Sequence, residues 1–321
     1  MAIVLAGGAG FIGSKLAAHF LSQGEYVLVL DNLCRGRKEY INHLKPVNRL
    51  HFVEMDLADA ARTKSELREF HLAHPVDAVW HMAANSDIPA GIADANVDLR
   101  DTFMTTFALL EAMKPLSIST LAFASSSAIY GDFGADVRLH EDIGPLLPIS
   151  NYGAMKLASE ALISAAVTSW LRRAWIFRFP NVVGVPATHG VILDFVRKLK
   201  ADPSSLQVLG NGTQQKAYLH VEDLVEAMIF IAAKARERIN VYNVGPDDEG
   251  CSVRRIAEET VARVRPGAHI NYGQEPRGWV GDVPRFTYSV DKLEKLGWKT
   301  SHNSIEAIKK AIDQIAIQED I

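Results

Sequence analysis

Residues 2–13 read "AIVLAGGAGFIG", an apolar run that ends in a cluster of glycines. The run has the composition of a short buried strand, and the next segment, "SKLAAHFLSQG", has a helical pattern. Gly7, Gly10 and Gly13 are three residues apart, which is the spacing of a loop that binds a dinucleotide between a strand and a helix. The stretch therefore predicts a strand–loop–helix unit that holds a dinucleotide.

The three glycines have different physical tasks in such a unit. The first permits a tight turn, the second lets the backbone approach a pyrophosphate, and the third lets helix and strand pack closely. A second apolar run ends at Asp31, eighteen residues after Gly13, about where a Rossmann fold places a carboxylate for the adenosine ribose. A carboxylate there repels the 2′-phosphate of NADP, so we expect NAD as the cofactor. Arg35 and Arg37 lie close enough in sequence that NADP remains an alternative cofactor.

Strand and helix patterns alternate after this unit. Apolar strand patterns occur in "LHFVEM", "VDAVWH" and "TLAFAS", and helical stretches around 62–71 and 94–113 lie between them. This rhythm is typical of a doubly wound parallel sheet. We predict an α/β protein with a Rossmann-type doubly wound parallel sheet and a smaller α/β C-terminal substrate-binding lobe.

The pattern loosens after Arg178, which suggests a second domain. We place the NAD-binding Rossmann domain at 1–178 plus about 217–245, and a nucleotide-sugar-binding domain at about 179–216 and 246–321. Ligands of open α/β sheets bind beyond the carboxyl ends of the strands. We therefore expect the side chains that follow each strand to face one crevice.

Bulk properties exclude several classes of function. The chain has 321 residues, of which 48% are hydrophobic and 22% charged, and a formal net charge of −4. This is ordinary globular composition without the basic footprint of a nucleic-acid-binding protein. No apolar run is long enough for a membrane span, and the N-terminus has no basic region before its apolar run. Cys34 and Cys251 are too far apart in sequence to suggest a disulfide framework or a metal site, so we expect a cytoplasmic protein without metal.

A tyrosine and a lysine stand four residues apart in "ISNYGAMKLASEA", residues 149–161. The segment after Met155 lacks Gly and Pro and favours a helix. Residues i and i+4 share one helix face, so Tyr152 and Lys156 would project side by side. Taken alone, this pair is more often a tyrosine packed beside a lysine stem than a catalytic pair.

Several further motifs make the pattern specific. They are, in order along the chain, "GGAGFIG", "DNLCRG", "DL" at 56–57, "HMAAN", "SSSAIYG", "NYGAMK", "RFPNVVG", "HVEDL" at 220–224 and "LGW" at 296–298. With these motifs the chain resembles the extended short-chain dehydrogenase/reductase family, and within it the nucleotide-sugar 4-epimerases. The resemblance covers almost the whole chain. It implies NAD as cofactor, a nucleotide-diphosphate sugar as substrate, and a homodimer through the helices near 94–113 and 152–170.

The resemblance also implies the site residues. The catalytic set is Ser126, Tyr152 and Lys156, of which Ser126 also contacts substrate. The residues expected at the cofactor are Gly7, Gly10, Phe11, Ile12, Gly13, Asp31, Asn32, Asp56, Leu57, Ala83, Ala84, Tyr152 and Lys156. Those expected at the substrate are Asn85, Ser126, Asn181, Lys216, Arg277 and Asp282.

The chemistry accounts for these residue types. Oxidising a sugar hydroxyl needs a base for its proton while hydride leaves for the nicotinamide. A tyrosine with its ordinary pKa of about 10 is a weak base at neutral pH, and a nearby ammonium group favours the phenolate. We therefore expect Lys156 to lower the pKa of Tyr152. Ser125 and Ser127 flank the catalytic serine and are expected to be hydrogen-bonded strand residues.

The residues after Ser126 bear on the reaction type. In the related 4,6-dehydratases an Asp–Glu pair follows the catalytic hydroxyl residue, whereas here Ser127 and Ala128 follow it. Alanine transfers no proton, so elimination of water by that route is excluded. The expected reaction is transient oxidation at C4 by bound NAD. A 4-dehydrogenase or 4-ketoreductase, and a non-catalytic NAD-binding sensor, remain alternatives.

Some expected substrate contacts depart from the family pattern. Lys216 stands where relatives have an arginine and loses the bidentate grip on phosphate. Trp279 and Val280 are inserted beside Arg277, which leaves Arg285 as an alternative phosphate contact. The segment 85–98 is unusually acidic. Its first residues, Asn85, Ser86 and Asp87, either border the hexose or belong to a solvated loop.

Overall fold

The structure is a computed structural model that describes residues 1–44, 48–134, 136–275 and 286–321. Strands and helices alternate along the first two thirds of the chain. In chain order the strands are β1 (Ala2–Ala6), β2 (Tyr26–Asp31), β3 (Leu50–Glu54), β4 (Val76–His81), β5 (Thr120–Ala124), β6 (Arg138–Leu139), β7 (Arg173–Arg178), β8 (Asn181–Val183), β9 (Ser205–Val208), β10 (Gln215–Lys216), β11 (Tyr218–His220), β12 (Ile239–Asn243), β13 (Cys251–Ser252), β14 (His269–Tyr272) and β15 (Thr287–Tyr288).

The helices connect these strands. They are α1 (Phe11–Ser22), α2 (Glu39–Asn42), α3 (Ala60–Ala73), α4 (Ile88–Ala93), α5 (Ala95–Asp98), α6 (Thr105–Met113), α7 (Asn151–Ser169), α8 (Val191–Ala201), α9 (Val221–Lys234), α10 (Val253–Val264), α11 (Asp291–Leu296) and α12 (Ser304–Gln318). A π-helix, Leu99–Met104, joins α5 to α6, so the single helix predicted near 94–113 is interrupted. No helix in the described ranges is both long and apolar enough to cross a membrane.

The first compact unit contains Met1–Ile129, Leu147–Arg178 and Ile231–Tyr242. Its seven-stranded sheet has the order β12-β7-β5-β4-β1-β2-β3, and the pairings from β7 to β3 are parallel. Strands β1 and β5 are buried along their full length, as expected for a parallel sheet covered on both faces. The predicted Rossmann-type fold is confirmed.

The direction of strand order reverses between β1 and β4. From β1 the chain adds β2 and β3 on one side, and from β4 it adds β5 and β7 on the other. Such a reversal opens a crevice at the carboxyl ends of the two central strands. The glycine loop after β1 and the loop after β4 therefore lie on either side of this crevice.

The second unit contains Tyr130–Leu146, Phe179–Phe230 and Asn243–Ile321. Its strands form two-stranded sheets, β10-β13, β11-β8, β14-β9 and β15-β6, and α8, α10 and α12 pack around one apolar core. The predicted first domain, 1–178 plus about 217–245, differs from the first unit because β6 pairs with β15 and β11 pairs with β8. The binding roles of the two units remain predictions.

Candidate active site

The glycine loop follows β1 and leads into α1. Gly7 has a φ of +78°, which L side chains rarely adopt, and its N–H donates to Leu30 O at 2.8 Å. A Cβ on Gly13 would lie 2.1 Å from Gly7 O. Gly10 is the residue before α1, so Phe11, Ile12 and Gly13 form the first turn of that helix. The loop thus presents free backbone amides at a helix N-terminus without Cβ atoms in the way, as a pyrophosphate requires.

The loop after β4 lies directly beside the glycine loop. The N–H groups of Met82 and Ala83 donate to Ala6 O, and a Cβ on Gly7 would be 2.6 Å from Ala83 N. Ala84 continues this loop and is partly buried. The cradle between the two loops depends on Gly7 and fits the cofactor role predicted for both alanines.

Carboxylates follow two neighbouring strands at the same edge of the sheet. Asp31 ends β2, is 6% exposed, and accepts hydrogen bonds from Ala9 N and Leu33 N, both at 2.9 Å. Burial raises its pKa, and the two backbone donors oppose that rise. Asp56 follows β3 and accepts from Ala58 N at 2.9 Å. Asn32 and Leu57 are the next residues of the same two loops, so these four predicted cofactor residues lie at one edge of the sheet.

The N-terminus of α7 packs tightly against the loop after β5. The Ser150 side chain caps the helix by accepting from Gly153 N at 3.1 Å. A Cβ on Gly153 would lie 2.4 Å from Ala128 O, so only glycine permits this approach. Ser126 and Tyr152 lie on the two sides of this contact, and the Ser126 hydroxyl lowers the pKa of Tyr152.

Lys156 follows one turn later and is buried. Its Nζ donates to Ala124 O at 2.6 Å and lies 4.7 Å from the Phe123 ring centroid. The same atom is 5.8 Å from the ring centroid of Tyr152. The structure therefore brings Ser126, Tyr152 and Lys156 together, although their catalytic roles remain predictions.

The protonation of the pair differs from the sequence expectation. Burial raises the pKa of Tyr152 to about 12, against the lowering effect of the Ser126 hydrogen bond. Burial also lowers the pKa of Lys156 to about 7, against the raising effects of Glu160 and Asp98. Desolvation is the largest cause of both shifts, and the pKa of Tyr152 is raised, where the sequence led us to expect that Lys156 lowers it. The side chains alone keep the proton on the tyrosine at neutral pH.

A buried ion pair joins α7, the helix of Tyr152 and Lys156, to β7, and it was not predicted from the sequence. Arg178 Nε and Nη2 donate to the two oxygens of Glu160 at 3.1 and 2.7 Å, and both side chains are 7% exposed. Ser125 Oγ donates to Glu160 Oε1 at 2.5 Å, so this serine is hydrogen-bonded as predicted. The prediction that Ser125 and Ser127 are strand residues is wrong, because β5 ends at Ala124 and Ser127 begins a short 3-10 helix. Glu160 lies four residues after Lys156, and this spacing on one helix face is a signal that the sequence did contain.

The acidic segment after β4 forms α4 and α5, and its residues 92–96 are exposed, whereas its first residues are held by Asn85. Asn85 is 5% exposed, and its amide group donates to Asp87 O at 2.9 Å and to Asp98 Oδ1 at 2.8 Å. Asn85 Oδ1 accepts from Asp87 N. Within the described residues, the hydrogen bonds of the Asn85 side chain are therefore made to Asp87 and Asp98 of the same segment. Asp87 caps α4 by accepting from Ala90 N and pairs with Arg35 at 2.6 Å. Arg35, one of the two arginines that kept NADP as an alternative, is engaged in that pair.

The remaining predicted substrate residues belong to the second unit or lie outside the described ranges. Asn181 is exposed on β8, where it pairs with Tyr218 of β11. Lys216 is partly buried on β10. Arg277 and Asp282 lie outside the described residues, as do Trp279, Val280 and Arg285. Among the described residues, no three His, Cys, Asp or Glu side chains are grouped to hold a metal.

The parallel sheet, the glycine cradle and the buried acid at the end of β2 define a class: Rossmann-type proteins that bind a nicotinamide dinucleotide. A model of the NAD dependent epimerase/dehydratase family matches residues 3–245. This chain therefore belongs to that family, and its cofactor is NAD. The resemblance inferred from the motifs is confirmed.

Individual relatives match along almost the whole chain. The UDP-glucose 4-epimerase of Lacticaseibacillus casei is 30% identical over 330 residues, which cover 96% of this chain and 94% of that protein. The crystal structure of a UDP-galactose 4-epimerase has a TM-score of 0.85 at 34% identity and covers 99% of both chains. The Thermus thermophilus UDP-glucose 4-epimerase in complex with NAD has a TM-score of 0.85 at 28% identity and covers 98% of this chain and 99% of that chain.

Proposed function

We propose that this protein is an NAD-dependent nucleotide-sugar 4-epimerase. The observation that carries the proposal is the meeting of Ser126 with Tyr152 and Lys156 beside the crevice at the carboxyl ends of the central strands. The residues after Ser126 are Ser127 and Ala128, which cannot supply the acid and base of a dehydratase. The nucleotide-sugar relatives support the choice of substrate class.

In this proposal each side chain has one task. Tyr152 takes the proton of the C4 hydroxyl and later returns it, and Ser126 donates a hydrogen bond to the phenolic or sugar oxygen. Lys156, held by Ala124 O, supplies positive charge beside the tyrosine when it is protonated, and it would hold the nicotinamide ribose. NAD held at the glycine loop and the loop after β4 would supply a hydride acceptor for C4 and a positively charged ring that favours the phenolate.

The substrate's diphosphate and nucleotide are assigned to the second unit. We propose that Asn181 and Lys216 contact the diphosphate, with Arg277 as a further contact and Asp282 at the nucleotide ribose. A lysine neutralises phosphate as a point charge without the fork of an arginine. UDP is the nucleotide we favour, because the relatives described above act on UDP-sugars.

We also propose that the protein is a cytoplasmic homodimer. Leu99 in the π-helix is 43% exposed and Phe107 in α6 is 38% exposed, and a second copy would cover both. Cys34 and Cys251 are both free thiols, which suits a reducing compartment.

The proposed activity is tested by incubating the purified protein with UDP-, GDP-, CDP- and dTDP-sugars without added cofactor. NMR reports the configuration at C4, and absorbance reports NADH. A C4 epimer without a lasting NADH signal is the expected result. A keto sugar with persistent NADH would instead identify a 4-dehydrogenase, and no conversion of any sugar would leave an NAD-binding protein without this catalysis.

A further inference from the structure

Asp98 is a fully buried acid that the proposed reaction does not use. It is the last residue of α5, where the π-helix begins, and its exposure is 0%. Its Oδ1 accepts from Asn85 Nδ2 at 2.8 Å, whereas its Oδ2 has no hydrogen-bond partner among the described residues. A Cβ on Gly91 would lie 1.7 Å from that Oδ2, so the carboxylate occupies the space that Gly91 leaves open. Burying a carboxylate this way is costly and calls for a reason.

The carboxylate connects two segments that border the catalytic pair. Asn85, its hydrogen-bond donor, lies in the loop after β4, and Gly91, its packing partner, lies in α4. Gly91 O accepts from Asn151 Nδ2 at 2.9 Å, and Asn151 immediately precedes Tyr152. Helices α4 and α5 and the π-helix all pack on α7. Asp98 is therefore the point at which the loop after β4 is fixed to the start of α7.

The negative charge of Asp98 also acts electrostatically on Tyr152 and Lys156. It raises the pKa of Tyr152 and of Lys156, while burial raises the pKa of Asp98 itself against the Asn85 hydrogen bond.

The other charged and titratable groups around this carboxylate lie on several elements. On α7, Glu160 also raises the pKa of Lys156. On β4, burial holds the pKa of His81 well below its usual value, so this imidazole is neutral. Asp87 and Asp101 raise the pKa of Asp98 further. Asp98 and Glu160 are thus the carboxylates that act on Lys156.

We propose that Asp98 is a positioning residue for C4 oxidation: it fixes the loop after β4 against the start of α7 and sets the pH range in which Tyr152 and Lys156 act. The inference rests on the proposed function. Removing a negative charge makes deprotonation easier for every neighbouring group. Both limbs of the pH–rate profile should therefore move to lower pH when Asp98 becomes neutral.

The test compares Asp98→Asn with Asp101→Asn. Both variants remove one negative charge from neighbouring positions; Asp98 raises the pKa of Tyr152 and of Lys156, whereas Asp101 raises the pKa of Asp98. We expect the kcat/KM profile of D98N on UDP-glucose to shift to lower pH at both limbs, and that of D101N to overlay wild type. An unshifted D98N profile, or an equal shift in D101N, would overturn the proposal.

Folding of the variant is expected and is checked first. Because burial raises the pKa of Asp98, its ionised form costs stability at neutral pH, and a neutral residue of the same shape relieves that cost. Asp98→Ala is the second neutral variant, and either one that folds is sufficient for the profile. Failure of both to fold would assign Asp98 to the fold alone and overturn its role in the reaction.

A second readout separates this proposal from the proposed function. If wild type converts no sugar, the 4-epimerase proposal fails, and Asp98 is then judged by ultraviolet titration of the tyrosines. The difference between a protein and its Tyr152→Phe counterpart gives the titration of Tyr152 alone. In the D98N background this titration should lie at lower pH than in wild type, and coincident curves would overturn the assignment.

Discussion

Glu160→Gln tests whether the buried ion pair between Glu160 of α7 and Arg178 of β7 stabilises the first unit. In the native protein, Arg178 reaches Glu160 through two hydrogen bonds, of 3.1 and 2.7 Å, and both side chains are 7% exposed. Glutamine keeps the shape and an oxygen that can accept from Ser125, but it removes the negative charge. The variant therefore leaves the guanidinium of Arg178 buried without its counter-charge.

The expected cost is large because water cannot replace the lost partner. Removing one member of a buried ion pair costs about 3–5 kcal/mol, and since glutamine retains hydrogen bonds we expect about 3 kcal/mol. A tenfold change in an equilibrium constant corresponds to about 1.4 kcal/mol, so the folding constant should fall roughly a hundredfold. Arg178→Met combined with Glu160→Leu should recover most of the loss, because a pair of apolar residues leaves no unpaired charge.

The measurement is urea denaturation followed by circular dichroism and by tryptophan fluorescence. Glu54→Gln is the matched control in the same unit, since Lys38 and Glu54 are 2.6 Å apart but about half exposed. An exposed pair of this kind is worth at most about 1 kcal/mol. If E160Q loses no more stability than E54Q, burial does not strengthen the pair of Arg178 and Glu160.

Three further outcomes follow from contacts in the first unit. Gly13→Ala would place a Cβ 2.1 Å from Gly7 O, so the purified variant should carry little or no NAD when its nucleotide is released and quantified. Gly153→Ala would place a Cβ 2.4 Å from Ala128 O and push Tyr152 away from Ser126. This variant should therefore keep its bound NAD but lose at least tenfold in kcat. If both glycine variants lose both NAD and activity, the cofactor loop and the catalytic loop do not act separately. Lys156→Met removes a lysine whose pKa burial lowers from 10.5 to about 7. Between these two pH values the unfolded wild-type chain binds more protons than the folded one, so the stability of wild type should rise with pH. Urea denaturation at pH 7, 8 and 9 should show that rise in wild type and not in K156M, and parallel curves would show that the lysine keeps its ordinary pKa.

Much of the fold could be predicted because its signals are local. The glycine spacing, the acid at the end of the second strand and the alternation of apolar strands with helices all lie within short windows of sequence. The Tyr152–Lys156 spacing follows from helix periodicity alone. These features led to the sheet, the cofactor and the catalytic helix.

The buried charges could not be predicted in the same way. Arg178 and Glu160 are eighteen residues apart, and only the packing of α7 on β7 brings them together. Asp98 belongs to a segment whose composition resembles a solvated loop, yet Asn85 and Gly91 enclose it. Burial is a property of tertiary packing, and it also explains why the pKa of Tyr152 is raised where the sequence led us to expect a fall.

The central claim is that hydride leaves C4 of the sugar and returns to the same carbon without leaving the protein. It is tested most directly with UDP-glucose deuterated at C4, incubated with the protein in ordinary water without added NAD. Our account predicts a C4 epimer that retains its deuterium at C4. A product that carries protium from water at C4 would contradict it, because the bond would then have broken by loss of a proton rather than by transfer of a hydride.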